Sequence, residues 1–159
     1  MGADIHTNIE VFDKEHKKWV RKALYYQKDD GGFAEAYMVF DNRDYELFGR
    51  LAGVRSCVEP FVYPRGIPDD ASEETRQLYE GCDYHDATWY DYCELNLYAQ
   101  TNDAYVVEEE YDEERCSYEI ADVWNVVRPY VDKIDMLLDA YGIYYPKPGE
   151  VRIVIWFDS

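Results

Sequence analysis

The chain has 159 residues, and its 16 Lys and Arg against 34 Asp and Glu side chains give a formal net charge of −18. This charge argues against direct binding to nucleic acid or to an anionic membrane surface, because like charges repel. The length predicts a single domain over residues 1–159, and a hydrophobic fraction of 47% is sufficient for a packed core.

The negative charge is concentrated in the second half of the chain. Residues 1–68 carry 11 acidic and 10 basic side chains, a net charge of −1, whereas residues 69–159 carry 23 and 6, a net charge of −17. An asymmetry of this kind favours a partner-binding surface over a general solubilising role.

The chain shows no targeting or membrane-spanning segment. Met1 is followed by Gly-Ala-Asp, and the apolar runs are far shorter than the roughly 20 residues that span a bilayer. The four cysteines, Cys57, Cys82, Cys93 and Cys116, form no CxxC pair, so neither a zinc site nor a redox motif is expected. We therefore expect a cytoplasmic protein with reduced thiols.

The first elements in chain order are predicted to be strands. Residues 3–13 alternate between β-forming apolar side chains and polar ones, as a strand with one solvated face does. A turn at residues 14–17 and a second strand over residues 18–26 would complete an N-terminal hairpin. Residues 27–32 form a polar loop.

Two helices are predicted in the next part of the chain. Asp41 or Asn42 is expected to cap a helix that ends at Gly53. After a loop rich in Pro and Gly, Ser72 is expected to cap a short helix that ends near Gly81.

A third helix is predicted over residues 89–100, with Thr88 as its N-cap. The acidic residues 101–117 that follow are ambiguous between strand and loop. The sequence therefore predicts regular structure on both sides of this acidic segment and leaves the segment itself open.

The strongest periodic signal extends over residues 118–141, where apolar side chains recur at three- and four-residue steps. Pro129 predicts a kink or break near Val127, and Gly142 is expected to end this helix. The last segment, Val151–Asp158, is apolar on both faces, as in a central strand. Together these elements predict an α+β fold in which the N-terminal hairpin and the C-terminal strand form a small, mainly antiparallel sheet packed with several helices.

Five segments resemble a widespread family of uncharacterised phage and prophage proteins: residues 4–6, 43–48, 51–55, 64–70 and Val151–Asp158. The resemblance implies an accessory role, because phages often encode small acidic inhibitors of host machinery. Where the family tends to have a His-Ser-rich stretch, residues 84–89 of this chain read Tyr-His-Asp-Ala-Thr-Trp. A catalytic role of that stretch would therefore not carry over.

One candidate site is a polar pocket around the first strand. Asp4 and His6 share a strand face, about 6.6–7 Å apart, and pairing of the two terminal strands would add side chains from the last strand. Arg binds phosphate in a bidentate manner, and Trp stacks on a base, so this set predicts a small anionic ligand such as a nucleotide signal, sequestered or hydrolysed. The alternative is a structural Asp4–His6 pair that fixes the N-terminus. The predicted ligand-binding residues are Asp4, His6, Arg65, His85, Arg152, Trp156 and Asp158.

Metal and nucleophilic chemistry receive little support. Asp4, His6, Asp83, His85 and Asp86 are metal-ligand types without a diagnostic spacing. There is no nucleophile elbow and no phosphate-binding glycine loop. We therefore expect no metal and no cofactor, assign no catalytic residue, and do not favour an enzyme.

The other candidate site is the acidic surface. Residues 103–119 carry eight acids and one Arg, and residues 69–94 carry nine acids and one Arg, with tyrosines interleaved in both. Carboxylates beside tyrosine rings can imitate DNA phosphates, which predicts an inhibitor of a basic nucleic-acid-binding or defence protein of the host. The alternative is a solvated face that keeps the protein in solution. The predicted partner-binding residues are Tyr105, Glu108, Glu109, Glu110, Tyr111, Asp112, Glu113 and Glu114.

Overall fold

A computed structural model describes residues 2–36, 43–56, 59–80, 83–100 and 123–158. Its centre is a four-stranded antiparallel sheet with the strand order β2-β1-β6-β5. The strands are β1 (Asp4–Asp13), β2 (Lys18–Lys22), β5 (His85–Asp91) and β6 (Val151–Asp158). The predicted α+β class, with the N-terminal hairpin and the C-terminal strand in one antiparallel sheet, is confirmed.

The two terminal strands pair along almost their whole length. Asp4 lies opposite Asp158 and Val11 lies opposite Val151. Strand β2 pairs only with residues 9–13, so within the described chain residues 4–8 have β6 on one side and an open edge on the other. This edge is where the candidate pocket lies.

Strand β6 is the centre of the sheet. It lies between β1 and β5, and its residues 151–157 are all buried. The prediction of a central strand covered on both faces is therefore confirmed, and the apolar residues on both parities are explained by the two layers that cover them.

The N-terminal hairpin is shorter than predicted. Its second strand ends at Lys22 rather than at residue 26, because the carbonyl group of Ala23 accepts a hydrogen bond from the Tyr141 hydroxyl instead of continuing the sheet. The chain then forms a small separate hairpin of β3 (Tyr25–Gln27) and β4 (Phe33–Glu35).

Three helices cover one face of the sheet: α1 (Tyr45–Ala52), α3 (Tyr92–Tyr98) and α4 (Val123–Ala140). Their apolar side chains meet those of β1 and β6 in the main core. Helix α1 ends at Gly53 as predicted, with φ of 71°. Its N-cap is Asp44, whose carboxylate accepts a hydrogen bond from the Leu47 amide; the expected caps Asp41 and Asn42 lie outside the described residues.

Helix α4 confirms the strongest periodic signal over its described part. Its buried side chains recur at steps of one, three and four residues, and Trp124 lies outside this buried stripe because it is 47% exposed. Pro129 lies inside the helix, and the predicted break near Val127 is absent, since the helix is continuous to Ala140. Gly142 follows with φ of 70°, which confirms the predicted end.

The predicted helix start at Trp89 is wrong, because residues 85–91 form strand β5. The hydroxyl of Thr88 is buried and accepts a hydrogen bond from the Arg65 amide, so it caps no helix. Asp91 is the N-cap of α3 instead, with its carboxylate accepting from the Cys93 amide.

The second face of the sheet is covered by the short helix α2 (Glu73–Tyr79), whose predicted N-cap Ser72 is confirmed. Beneath it lies a smaller apolar cluster of Ala87, Val154 and Trp156. This thin layer leaves one end of the second face accessible, next to the open edge of β1.

Candidate functional site

His6 and Asp158 form a polar pair at the end of the sheet where β1 begins and β6 ends. The His6 imidazole Nε2 lies 2.7 Å from Asp158 Oδ2, and both side chains are more than one-third exposed. An ionised carboxylate only accepts hydrogen bonds, so this contact assigns the donor role to Nε2 of the imidazole.

Aromatic rings surround the His6 imidazole. Its centroid lies 5.0 Å from the Tyr84 ring and 6.2 Å from the stacked Trp156 ring. Tyr79 packs edge-on against Trp156 at 5.2 Å. Such ring geometries stabilise the cluster and leave ring faces suited to stacking.

The Trp156 indole presents a buried donor. The residue is 2% exposed, and among the described residues its Nε1–H has no hydrogen-bond partner. An unsatisfied buried N–H costs about 1–3 kcal/mol. A polar group that accepts from this nitrogen would recover that free energy.

A cavity of about 780 Å³ extends along the open edge of β1. Four of the seven predicted ligand-binding residues line it: Asp4, His6, Trp156 and Asp158. Tyr84 adds an aromatic wall, and Lys22, Arg21, Tyr26 and Glu35 line the part toward β2 and the small hairpin. The volume is within the range of roughly 300–1,000 Å³ that small-molecule sites occupy.

Most charges around the cavity are paired within the protein. Arg43 Nε lies 2.9 Å from Asp4 Oδ1 and holds the pKa of that carboxyl below its ordinary value. Arg21 is bound by Glu35 and Glu74. Lys22 has its Nζ 5.1 Å from the Tyr141 ring and, among the described residues, no ion pair. It is therefore the cation on the cavity wall best placed to meet an anionic group.

Arg65 does not line this cavity. Its guanidinium binds both carboxylate oxygens of Glu94 and the Trp89 carbonyl, and lies 4.9 Å from the Trp89 ring centroid. The reason is that the loop that carries Arg65 packs along β5, which lies on the far side of β6 from β1.

Arg152 does not line the cavity either. It lies at the opposite end of β6, where its guanidinium binds the buried carboxylate of Glu10 and the carboxylate of Asp70 and stacks on Trp19 at 4.0 Å. The strand separates Arg152 from Trp156 by four residues, or roughly 13 Å, and the Arg152 guanidinium is already bound by two carboxylates.

His85 is the third residue that the structure keeps out of the cavity. Its Nδ1 lies 2.7 Å from Asp86 Oδ2, and its ring stacks near Phe157, 6.3 Å between centroids. The register of β5 shifts between His85 and Thr88, and Asp86 has a positive φ of 51°. We found no pattern in the sequence that predicts this register shift in β5.

The acidic surface is described only in part. The predicted partner-binding residues, from Tyr105 to Glu114, lie outside the described residues. Within residues 69–94, Tyr90 and Tyr92 are buried in the main core. Several acids of this run have internal roles: Asp70 and Glu94 bind arginines, and Asp91 caps α3.

Sequence reasoning missed Tyr84, Arg43 and Lys22. Tyr84 is next to His85, which we predicted to bind the ligand. The register shift in β5 brings Tyr84, and not His85, to the cavity. Arg43 reaches Asp4 across 39 positions, a separation that leaves no local pattern. Lys22 was assigned to the predicted second strand without a role.

In the described part of the chain, no group of three or more His, Cys, Asp or Glu side chains is arranged to hold a metal ion. Among the helices described, none has the length and apolar composition needed to cross a membrane.

No protein-family model matches the chain, and comparisons with curated proteins and with solved structures found no match. The resemblance to phage proteins therefore stays a prediction. Parts of three segments that carry it lie at this end of the sheet: residues 4–6, Arg43 from residues 43–48, and residues 156–158 at the end of β6.

Proposed function

We propose that the protein binds and sequesters a small ligand that carries a flat ring, of about the size of a nucleoside or nucleotide, in the cavity along the open edge of β1. The observation that carries this proposal concerns Trp156, whose buried Nε1–H has no hydrogen-bond partner in the part of the chain that the structure describes, and which lines the cavity together with His6 and Tyr84.

The chemistry of the wall suits such a ligand. A ring can stack on His6 or Tyr84, and a ring nitrogen or carbonyl oxygen can accept from the Trp156 indole. Asp158 fixes the His6 imidazole through the 2.7 Å contact, so little rotamer entropy remains to be lost on binding.

The charges restrict how anionic the ligand can be. Arg65 and Arg152, expected at the sequence level to bind phosphate, are held by internal carboxylates elsewhere. Lys22 is left to meet one phosphate or carboxylate group, while Asp4 and Asp158 repel further negative charge. A nucleoside or a nucleotide with few phosphates fits better than a polyphosphate.

The experiment is a thermal-melting screen with free bases, nucleosides and nucleotides. A ligand present at 100 times its dissociation constant stabilises the folded state by about 2.7 kcal/mol, which corresponds to roughly 5–10 °C for a domain of this size. In the ¹H–¹⁵N spectrum of the four tryptophan indoles, the Trp156 signal, assigned with Trp156→Phe, should shift.

The matched variants are His6→Gln and His85→Gln. Both histidines lie 2.7 Å from an aspartate and have the same side-chain exposure of 37%, but only His6 lines the cavity. We expect His6→Gln to weaken binding roughly tenfold, in line with the loss of one stacking partner, and His85→Gln to leave it unchanged. Equal effects, or a hit that leaves the Trp156 signal in place, would contradict the proposal.

A second candidate function is supported by the charge of the chain. We propose that residues 103–119, with eight acids and one Arg, contact a basic nucleic-acid-binding or defence protein in the cytoplasm of a host cell. Support for this function comes from the sequence of the run itself, because a segment with eight acids and one Arg attracts a basic surface.

Titration of salt against binding to host nucleases tests this second function. Replacing Glu108, Glu109 and Glu110 by Gln, together with Asp112→Ser, Glu113→Gln and Glu114→Gln, should weaken binding and flatten its salt dependence, because charge steering is screened by ions. Binding that is indifferent to both changes would rule this function out.

A further inference from the structure

A second concave surface lies between α3, α4 and the loop after α4, away from the cavity at β1. This α3–α4 groove has a volume of about 630 Å³. Its lining includes Leu97 and Asn96 from α3, Asp139 from α4, and Tyr144 and Tyr145 from the loop. Leu97, Tyr144 and Tyr145 are 63%, 65% and 96% exposed. Adjacent exposed apolar side chains of this size are typical of protein-binding surfaces.

Tyr145 is held in an unfavourable backbone conformation. Its φ is +50°, in the left-handed region that a bulky side chain seldom adopts. The Tyr145 side chain, at 96% exposure, gains almost no packing in return. A strained backbone that no packing of the side chain compensates is often found at residues with a binding or catalytic role.

The neighbouring chain keeps Tyr145 in this position. The Ile143 amide donates to the Leu138 carbonyl, the Cys93 thiol donates to the Pro146 carbonyl, and the Gly149 amide donates to Asp91. The loop is thus fastened to α4, to α3 and to the end of β5. Tyr145 is presented by a fixed support, so a partner would pay little entropy to order it.

Charge decides among the occupants of the groove. Among the described residues, its lining contains the carboxylates of Asp135 and Asp139 and neither Lys nor Arg. Asp135 is bound by Arg128, whereas Asp139 is exposed and, among the described residues, has no ion pair. A second copy of the chain would bring a charge of −18, and residues 103–119 carry eight acids, so both are repelled. A segment with apolar anchors and basic residues is attracted.

We propose that the α3–α4 groove docks an amphipathic basic segment of a partner protein, with Leu97, Tyr144 and Tyr145 as apolar contacts and Asp139 as the carboxylate that meets a Lys or Arg. This inference rests on the second candidate function, a basic partner, and adds to it a specific contact surface. Residues 103–119 attract the partner at a distance, and the groove fixes its position.

The probes are two synthetic helical peptides with the same leucine spacing. One carries Lys at the polar positions, and the other carries Glu. Binding is followed by fluorescence anisotropy, and the contact is located by NMR. The main variant is Leu97→Ser with Tyr145→Gly; Tyr145→Gly suits the positive φ, and Leu97 is exposed, so the fold should persist. The control is Phe33→Ser, 70% exposed on the small hairpin.

We expect the Lys peptide to bind at the groove. Its affinity should fall at least tenfold in the double variant and several-fold in Asp139→Asn. Phe33→Ser should leave the affinity unchanged. The Glu peptide should not bind. Binding that survives the double variant but disappears when the acids of residues 108–114 are replaced would overturn the groove and spare the second function. Absence of Lys-peptide binding would overturn both.

Two further outcomes identify another occupant and overturn the inference. A dimer in sedimentation equilibrium that the double variant dissociates would make the groove a self-association surface. A shift of the Leu97 and Tyr145 signals on replacement of the acids of residues 108–114, with no peptide present, would assign the groove to the chain's own acidic segment.

Discussion

Glu10 and Arg152 face each other across β1 and β6, with Glu10 Oε1 2.8 Å from Arg152 Nε and both residues buried. The second oxygen of Glu10 accepts from the Ser72 amide and the Thr75 hydroxyl. A carboxylate within the sheet therefore fastens the first turn of α2. The removal of this charge would disturb the sheet and the helix together.

Replacing Glu10 by Gln should lower the free energy of unfolding by roughly 3–5 kcal/mol, because the buried Arg152 guanidinium loses its only buried counter-charge among the described residues and keeps the exposed Asp70 carboxylate. Urea unfolding measures the loss. Asp70→Asn is the control: Asp70 binds the same guanidinium, but its side chain is 70% exposed, so the loss should stay below about 1 kcal/mol. If both variants lose the same free energy of unfolding, the burial of Glu10 does not increase its contribution to stability.

Gly49→Ala should destabilise the protein although alanine favours helices. An added Cβ would lie 2.1 Å from the Ser56 Cβ. Overpacking costs about 1–3 kcal/mol, which outweighs the helix-propensity gain of at most ~1 kcal/mol. In the Ser56→Gly background the same substitution should be neutral or stabilising in thermal unfolding. A destabilisation that persists there would place its cause elsewhere.

Stability should fall in acid through four carboxyl groups whose pKa values the folded protein lowers from ordinary values of 3.8 for Asp and 4.5 for Glu. The largest causes are hydrogen bonds: Asp4 with Arg43, Asp13 with His16, Asp70 with Arg152, and Glu150 with the Lys147 amide. As the pH falls below these ordinary values, the unfolded chain binds protons first, so the free energy of unfolding decreases.

Relief of repulsion among the 34 acidic side chains acts in the opposite direction, so the test compares variants. Asp70→Asn should show a shallower loss of stability between about pH 5 and pH 3 than the unchanged chain. Asp139→Asn, an exposed position, is the control. Parallel curves for Asp70→Asn and the unchanged chain would refute the assignment.

Stability should also fall in alkali. Burial raises the pKa values of Tyr90, Tyr92 and Tyr130 above the ordinary 10.0. Above that pH the unfolded chain releases these protons and the folded chain keeps them, so the free energy of unfolding decreases as the pH rises. Tyrosinate absorbance should show that these hydroxyls ionise only on unfolding, and Tyr130→Phe should reduce the dependence. Ionisation of all 17 tyrosines near pH 10 in the folded protein would contradict this.

The periodic elements were predictable from the sequence because the spacing of their apolar residues shows which faces become buried. Val151–Asp158 is apolar on both parities and became the central strand, and α4 carries its buried side chains on one stripe. The segment from residue 85 to residue 100 was not predictable in the same way. Thr88 looked like a helix cap, but its hydroxyl is used by the Arg65 amide, a contact 23 positions away.

The candidate site was predictable where it depends on strand alternation and on the pairing of the two terminal strands. These rules bring Asp4, His6, Trp156 and Asp158 together. These rules do not apply to side chains on loops. Arg65, which lies on a loop, forms an ion pair with Glu94 instead of lining the cavity. The Asp4–Arg43 pair arose from the packing of α1, which no local pattern encodes.

The pairing of β1 with β6 also determines the order in which the molecule can form. Glu10 and Arg152 are separated by 142 positions, so β1 leaves the ribosome on the order of 10 s before its central neighbour, at roughly 5–20 residues per second. During that interval β1 has only β2 as a strand partner within the described sheet. The sheet therefore closes only once Val151–Asp158 has been synthesised, and a ligand or partner that needs the open end of β1 finds its site complete only from that moment.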